Sequence, residues 1–271
     1  PRRDTRLKFV QSEGRGVSAA FNTGVGCAEG RFLARMDADD IALPLRFERQ
    51  LDYFERNPAV AICGGCVEIF ADQPIAGGNR RYQDWLNNCR SPEAIRRELY
   101  IESPIPNPTA FFRREALEQL GGYSDPEWPE DYDLYLRADA LGMKMGKPEE
   151  MLLRWREHGG RLTRTDPRYD LEKFQAAKLH YLAVCRLPLN ASLLIWGAGP
   201  TGALTHDLLR DEGVETTGFL EIHPRRIGGR KRNLPVYALE HLYEDRASSV
   251  LVAVGSAGAK EKIRAFMNDV G

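Results

Sequence analysis

The chain has 271 residues, of which 38 are basic and 39 acidic, and its net charge of −1 offers no overall field for nucleic acid, so we expect no nucleic-acid partner. No apolar run approaches the roughly 20 residues that span a bilayer. No signal peptide opens the chain, and we expect a cytoplasmic protein. Its five scattered cysteines fit a reducing compartment better than a disulfide framework.

The N-terminal part alternates short apolar segments with helical patterns. LKFV at 7–10 predicts a strand, residues 14–30 predict a helix, and RFLARM at 31–36 predicts a second strand. Pro44 predicts the start of a helix that ends before Pro58.

VAICGGCVEIF at 60–70 predicts a further strand. Cys63 and Cys66 have the spacing of metal ligands, but no second close pair accompanies them, so we interpret them as buried structural thiols.

The middle of the chain begins with a segment, 71–105, that is rich in Pro, Asn, Gly and Arg and predicts a loop and helix excursion on the surface. A strand at 109–112, a short helix that ends at Gly121 and a helix over 130–142 follow. The helix predicted over 170–187 connects two domains.

Beyond Pro188 the pattern becomes a regular alternation of strands and helices, which predicts a small parallel sheet. We therefore place two domains at residues 1–187 and 188–271 and assign the chain to the α/β class.

An acidic cluster follows the strand at 31–36. Asp37, Asp39 and Asp40 gather three like charges in four positions, which is stable if solvent screens them or a cation neutralises them. Oxygen ligands of this kind suit Mg²⁺ or Mn²⁺, whose shell substrate phosphates complete. The alternative is that one aspartate simply caps the following helix.

The residues around this cluster resemble the family 2 glycosyltransferases, whose nucleotide-sugar-binding fold is called GT-A. The matching motifs are an N-x-G, an A-x-G, an apolar strand, D-x-D-D, P-x-R and a glutamine, which stand here at Asn22, Gly24, Ala28, Gly30, Asp37, Asp39, Asp40, Pro44, Arg46 and Gln50. The resemblance implies that Asn22, Gly24 and Asp37 face the substrate. It also implies that Asp39, with Asp37, holds Mn²⁺ or Mg²⁺.

A second block, PNPTAFFRREALEQLGGYSDPEWPEDYDLYLRA, resembles the acceptor-side segment of the same family. By that resemblance Asp131 is the catalytic base, with Glu130 beside it. The alternative is that both are ordinary first-turn acids that the helix dipole favours. Trp128 is a candidate to stack on a sugar face, or else a core residue.

A third block, LLRWREHGGRLT, resembles the family's R-x-H-x-x-S/T segment. The resemblance makes His158 a candidate third metal ligand or a diphosphate contact. A single histidine in a basic loop is more often just solvated.

Two strands that precede these blocks in the family, one with P-x-Y-N and one with V-D-D-G-S, have no counterpart in this sequence. We expect an N-terminally incomplete GT-A fold, either because the chain is a fragment, which its start at Pro1 favours, or because the enzyme is degenerate. In both cases we expect the chain alone to have little affinity for a nucleotide-sugar.

The second domain carries Gly197, Gly199 and Gly202 between a strand and a helix, with Glu221 at the end of the next strand. This context is that of a dinucleotide fingerprint. The segment resembles the Rossmann-like nucleotide-binding domains at the front of bacterial sugar acyltransferases, which implies a nucleotide or NAD(P) ligand. A module used only for packing or partner binding is the alternative.

The leading hypothesis is a metal-dependent, inverting glycosyltransferase that moves a sugar from a nucleotide-diphospho-sugar to a hydroxyl of a glycan or lipid-linked acceptor. Polysaccharide synthesis at the inner face of the membrane, with peripheral membrane association, is the context that the resemblance implies. A regulatory protein with a degenerate transferase domain and an NAD-dependent sugar oxidoreductase are the two alternatives.

Overall fold

The computed structural model describes residues 4–75, 77–187, 192–245, 248–255 and 258–270. The chain divides into two compact units, Pro1–Phe174 and Gln175–Gly271. This division falls ahead of the predicted boundary at 187/188, because Leu179 and Leu182 already pack in the hydrophobic core of the second unit. None of the described helices combines the length and apolarity that a membrane span requires.

Seven strands and eight helices are described in the first unit or start there. The strands are β1 Phe32–Ala34, β2 Ile41–Ala42, β3 Val60–Cys63, β4 Cys66–Phe70, β5 Phe111–Arg113, β6 Lys144–Gly146 and β7 Met151–Arg156. The helices are α1 Gly16–Cys27, α2 Arg46–Arg56, α3 Gly77–Asn88, α4 Pro92–Glu98, α5 Arg114–Leu120, α6 Glu130–Ala140, α7 Leu162–Thr165 and α8 Leu171–Cys185. Two 3₁₀ turns cover Asn107–Thr109 and Pro167–Tyr169.

These strands form two sheets, with the order β1-β5-β3-β6 in one and β2-β7-β4 in the other. In the first sheet β5 runs antiparallel to both of its neighbours, while β3 and β6 are parallel. The helix α2 covers the first sheet, and Phe54 stacks at 5.3 Å on Phe32 and at 5.6 Å on Phe111. The mixed sheets and surrounding helices confirm the predicted α/β class.

The segment predicted as one strand, 60–70, forms two strands that belong to different sheets, β3 and β4. The chain passes between them at Gly64 and Gly65, where an added Cβ would lie 2.9 Å from Lys147 and 3.1 Å from Leu152. A side chain at Gly64 would crowd the stem of the buried Lys147, and one at Gly65 would fit only if Leu152 shifted. Cys63 and Cys66 are buried free thiols, as predicted.

The predicted strand at 7–10 does not form. Leu7 and Phe9 are 66% and 92% exposed, and none of the described residues pairs with this segment in a sheet. Strand propensity alone does not hold an extended segment without a hydrogen-bonding neighbour.

The segment 71–105 is folded into the core and is not a surface excursion. Its helices α3 and α4 bury Leu86, Ile95 and Leu99 completely. The buried ammonium of Lys147 donates a hydrogen bond of 2.8 Å to the carbonyl of Pro104 and another to that of Leu86. The polar composition conceals the buried apolar residues of these two helices.

Among its described residues, the second unit contains five strands and two complete helices beside the end of α8, with a further single turn of helix. The strands are β8 Leu193–Trp196, β9 Gly218–Leu220, β10 Arg230–Lys231, β11 Leu234–Tyr237 and β12 Ser249–Val252. The helices are α9 Pro200–Asp211 and α11 Ala259–Val270, and α10 His241–Glu244 is the single turn. The sheet order is β10-β11-β9-β8-β12, and every pair except β10 and β11 is parallel. Numbered in chain order, the four parallel strands are arranged 3-2-1-4, which matches part of the order of a doubly wound sheet.

Candidate active site

A cavity of about 290 Å³ in the first unit collects most of the predicted chemistry. Its carboxylates are Asp37, Asp39, Glu102, Glu130 and Asp131. Its cationic or titratable nitrogen groups are Arg35, His158 and Arg161. Its aromatic wall includes Tyr82, Trp155, Tyr169 and Phe174. Charged groups on several sides and aromatic faces between them describe a site for a polar ligand with apolar ring surfaces.

The acidic loop after β1 is held in place by α2. Arg46 is 1% exposed, and its guanidinium donates a 2.6 Å hydrogen bond to the carbonyl of Arg35. Gln50, one turn further, donates to the carbonyls of Gly64 at 2.9 Å and Thr109 at 2.8 Å. Burial lowers the pKa of Arg46 to about 10, and these buried hydrogen bonds offset part of the cost of enclosing a cation. The P-x-R and Gln positions of the motif therefore support the loop.

The three aspartates of the loop present oxygen atoms that all lie within 4.8 Å of one another. Asp37 pairs with Arg35 at 2.5 Å. Asp40 accepts a 2.8 Å hydrogen bond from the backbone N–H of Arg156, while its second oxygen is buried without a hydrogen-bond partner. Burial raises the pKa of Asp40 to about 6, and Asp37 and Asp39 add to this through their charges. Close carboxylates with an unsatisfied oxygen fit a hard divalent cation.

His158 meets this cluster from the end of β7. Its Nε2 lies 2.9 Å from Oδ2 of Asp39, and its Nδ1 accepts a hydrogen bond of 3.2 Å from the N–H of Gly160. Burial acts to raise the pKa of Asp39, but the hydrogen bonds from His158 and the backbone outweigh it and hold the pKa below the usual value. The structure thus brings His158 into direct contact with Asp39.

The pair Glu130 and Asp131 opens α6 at another wall of the cavity. Burial, followed by the neighbouring Glu130, raises the pKa of Asp131 to about 7, against the opposing effects of the Tyr132 N–H and of Arg35. That N–H donates a 2.7 Å hydrogen bond to Oδ1 of Asp131. A carboxyl group with a pKa near neutrality is suited to accept a proton at physiological pH.

Three predicted substrate residues do not line this cavity. Asn22 instead forms a two-way hydrogen bond with the backbone of Tyr123, at 2.7 Å to its carbonyl and 2.9 Å from its N–H. Its side chain lies where a Cβ at Gly122 would be, so both residues of this contact have a structural role. Gly24 borders other surface clefts.

Trp128 is the third predicted substrate residue that does not line this cavity. Its indole N–H donates a 2.9 Å hydrogen bond to Asp133 in the first turn of α6. The structure thus gives Trp128 a contact at the start of that helix, and its predicted stacking on a sugar stays a prediction.

Several cavity residues were not predicted from the sequence, among them Arg35, Glu102 and Tyr169. Glu102 lies in the segment 71–105, whose composition predicts a surface excursion. Tyr169 lies in a basic, turn-like region with no recognisable pattern. Only Arg35 had a local signal, since it stands two residues before Asp37 and forms an ion pair with it.

In the second unit the predicted glycines form a tight turn between β8 and α9. Gly197 has φ +122°, and a Cβ on Gly202 would lie 1.8 Å from the carbonyl oxygen of Gly197. Glu221 accepts hydrogen bonds from the N–H groups of Ile222 and His223 and pairs with Arg226 at 2.9 Å. Burial opposes the ionised form, but these partners lower the pKa of Glu221 overall.

Comparisons with known proteins address the first unit. The model of the family "Glycosyl transferase family 2" matches residues 2–121. The N-terminal part of the chain is therefore similar to this family over those residues. The match agrees with the predicted GT-A class and covers the acidic loop, β1 and α2.

Three curated relatives of the family 2 segment are similar over part of their length. An uncharacterized glycosyltransferase of Haemophilus influenzae is 29% identical over 65% of this chain and 54% of its own length. The amylovoran biosynthesis glycosyltransferase AmsE of Erwinia amylovora is 31% identical over 52% and 50%. The UDP-Gal:alpha-D-GlcNAc-diphosphoundecaprenol beta-1,3-galactosyltransferase of Escherichia coli is 29% identical over 54% and 50%. The chain thus spans about half the length of the curated relatives it matches.

Proposed function

We propose that this protein is a metal-dependent, inverting glycosyltransferase that moves a sugar from a nucleotide-diphospho-sugar to an acceptor hydroxyl. The observation that carries the proposal is that one cavity is bordered both by Asp37 and Asp39, which lie in the segment that the family 2 model matches, and by the Glu130–Asp131 pair. A donor phosphate group and an acceptor hydroxyl need opposite chemistry, which these two groups offer. The cluster suits a cation, whereas Asp131 suits a proton.

The proposed reaction is a single displacement at the anomeric carbon. Asp131 accepts the proton of the acceptor hydroxyl as the new bond from that oxygen to the carbon forms. The bond from the carbon to the diphosphate oxygen breaks on the opposite face, and the nucleoside diphosphate leaves with the electron pair. Attack opposite the leaving group inverts the configuration. A pKa of about 7 lets Asp131 be ionised before the reaction and still be a useful base.

The proposed metal site consists of Asp39 and Asp37, with His158 as a further ligand or as the partner that orients Asp39. Mn²⁺ or Mg²⁺ bound there would offset the negative charge that grows on the departing diphosphate. Arg161 lies on the same wall, where its guanidinium stacks 4.3 Å from the ring centre of Trp155 and pairs with Glu157 at 2.8 Å. This arrangement supports a role for Arg161 beside the diphosphate.

For the acceptor we propose a glycan or a lipid-linked sugar. Two of the relatives support this class, since one is named for amylovoran biosynthesis and another for transfer to a diphosphoundecaprenol-linked sugar. Such an acceptor would place the protein at the inner face of the membrane as a peripheral component.

For the second unit we propose a nucleotide or NAD(P) ligand at the turn of Gly197, Gly199 and Gly202. The parallel sheet and the close packing of the turn support it. Glu221 would meet a ribose hydroxyl only if its ion pair with Arg226 opened.

Isothermal titration of the full gene product with UDP-sugars and dTDP-sugars, with and without Mn²⁺, tests the proposed function. Binding that requires the metal and disappears in Asp39→Ala is expected. Binding of NAD alone, independent of metal, would instead favour the sugar oxidoreductase. Metal-dependent binding without sugar release or transfer would favour a regulatory protein.

A further inference from the structure

Tyr169 makes the contact on which this inference rests. Its hydroxyl lies 2.9 Å from Oε2 and 3.0 Å from Oε1 of Glu130, so one phenolic proton is shared between both oxygens of the carboxylate. Glu130 is only 1% exposed, and water has almost no access to it. In a buried setting such a hydrogen bond strongly influences whether the carboxyl group is ionised.

The position of Tyr169 is set by its own turn and does not depend on Glu130. The side chain of Asp166 accepts a 2.9 Å hydrogen bond from the N–H of Arg168. The Arg168 guanidinium pairs with Asp166 at 2.7 Å and with Asp125 at 3.2 Å. The ring of Tyr169 packs against Phe174, with 6.3 Å between ring centres. The phenol is therefore presented to Glu130 by a turn that is already braced.

A phenol beside a carboxyl group acts as a donor as long as it keeps its proton. Burial, with the charges of Asp131 and Glu130, raises the pKa of Tyr169 far above its ordinary value, so the phenol does not ionise. Donation to both oxygens stabilises the ionised form of Glu130 relative to the protonated form. Two adjacent buried carboxyl groups resist ionising together, so an anion on Glu130 favours a proton on Asp131.

We propose that Tyr169 is a positioning residue that holds the negative charge of this carboxyl pair on Glu130 and leaves the exchangeable proton to Asp131. This inference rests on the proposed function, because it explains how Asp131 becomes a base that works near neutral pH. The other charged groups that act on Asp131 are Arg35, which favours its ionised form, and Glu102, which opposes it. The phenols of Tyr82, Tyr123 and Tyr135 also interact with its charge. Neither Arg35 nor Glu102 contacts Glu130 among the hydrogen bonds and ion pairs of the described residues, whereas Arg168 and Glu130 interact through their charges.

The variant Tyr169→Phe tests the proposal because it removes one oxygen and keeps the ring. Without the donor, the negative charge is held less firmly on Glu130, and Asp131 should lose its proton more easily. We expect the titration midpoint of Asp131 to fall by about one pH unit. Carboxyl carbon chemical shifts of selectively labelled protein, followed by NMR against pH, measure this midpoint without any substrate.

Tyr100→Phe is the matched control. Tyr100 also donates to a carboxylate on α6, at 3.1 Å to Oδ2 of Asp139, but it does not line the cavity. Its removal should leave the midpoint of Asp131 unchanged. A second variant, Glu130→Gln, should lower that midpoint by itself, and adding Tyr169→Phe to it should then produce no further change.

An unchanged Asp131 midpoint in folded Tyr169→Phe would overturn the proposal, as would an equal shift in Tyr100→Phe. So would a further shift in the double variant. These readouts do not depend on sugar transfer, so failure of the proposed function would appear separately, as an absence of transfer by the unaltered protein. If transfer occurs, the acid side of its pH profile should move to lower pH in Tyr169→Phe.

Discussion

Asp39 and Asp131 line the same cavity and carry the same carboxyl group, but their pKa values are shifted in opposite directions. Asp39 is partly exposed and bonded to His158, and its pKa is lowered. Asp131 has its carboxyl group enclosed beside Glu130, and its pKa is raised to about 7. Whether a carboxyl group carries a charge or a proton therefore depends on its access to water and on its nearest partner, more than on how many acids lie nearby.

The largest expected effect comes from removing the proton acceptor. Asp131→Asn should lower kcat for sugar transfer by about 10²–10⁴-fold, because general base catalysis typically contributes that much. The change keeps the size of the side chain, so the fold should persist. Release of nucleoside diphosphate under saturating substrates measures it.

Glu127→Gln is the control for that variant. Glu127 is an exposed acid on the same turn and pairs with Lys173 at 2.8 Å. It should leave kcat unchanged. Equal losses of kcat in Asp131→Asn and Glu127→Gln would contradict the assignment of the base to Asp131.

Next in size is the loss of metal affinity. Asp39→Asn should weaken Mn²⁺ binding by at least about 10-fold, since it removes a charged ligand that His158 orients. Titration of Mn²⁺ followed by electron paramagnetic resonance measures the change. Asp72→Asn alters an exposed acid paired with Arg156 at 3.3 Å and should bind Mn²⁺ normally.

The pH profile separates the two groups further. Because the pKa of Asp131 is raised, the base is protonated and inactive on the acid side, and kcat/KM should rise with pH until it levels off above about 7. Stability changes in the opposite direction. Because the folded chain holds this proton more tightly than the unfolded chain does, Asp131 makes the fold less stable as pH rises from its unfolded pKa to its folded pKa of about 7. A profile that is already level at pH 5 would contradict the assignment of the base to Asp131.

The smallest effect on Mn²⁺ binding is expected at His158, beside the aspartate cluster. His158 and Asp39 are each about 40% exposed, so their contact is partly screened. If His158 only orients Asp39, His158→Gln should weaken Mn²⁺ binding by at most about five-fold. A loss as large as that of Asp39→Asn would show that His158 is itself a ligand.

Local patterns predicted much of the first unit. The helix α2 follows from Pro44 and its apolar spacing, and α5 ends at Gly121, which has φ +73°. The motif around Asp37 and Asp39, which resembles family 2, lies within the residues that the family model matches. The exposed segment at 7–10 was predicted wrongly because strand formation depends on a neighbour that the local sequence does not specify.

The candidate site was predictable only in part, for the same physical reason. The acids of the loop and of α6 are apparent in the sequence because each group is contiguous. Tyr169 lies 39 positions from Glu130, and nothing in its own segment indicates that its hydroxyl meets that carboxylate. Asn22, in contrast, matched a motif and yet contacts the backbone of Tyr123.

The sequence already specifies the chemical groups of this protein: three carboxylates after β1, two acids at the start of α6 and a glycine turn after β8. These are local arrangements, and residue type with spacing is enough to specify them. The tertiary structure alone decided which groups share one cavity, which acid keeps a proton and which motif residues serve the fold. Those outcomes depend on burial and on partners distant in the chain, and both arise only when the chain is packed.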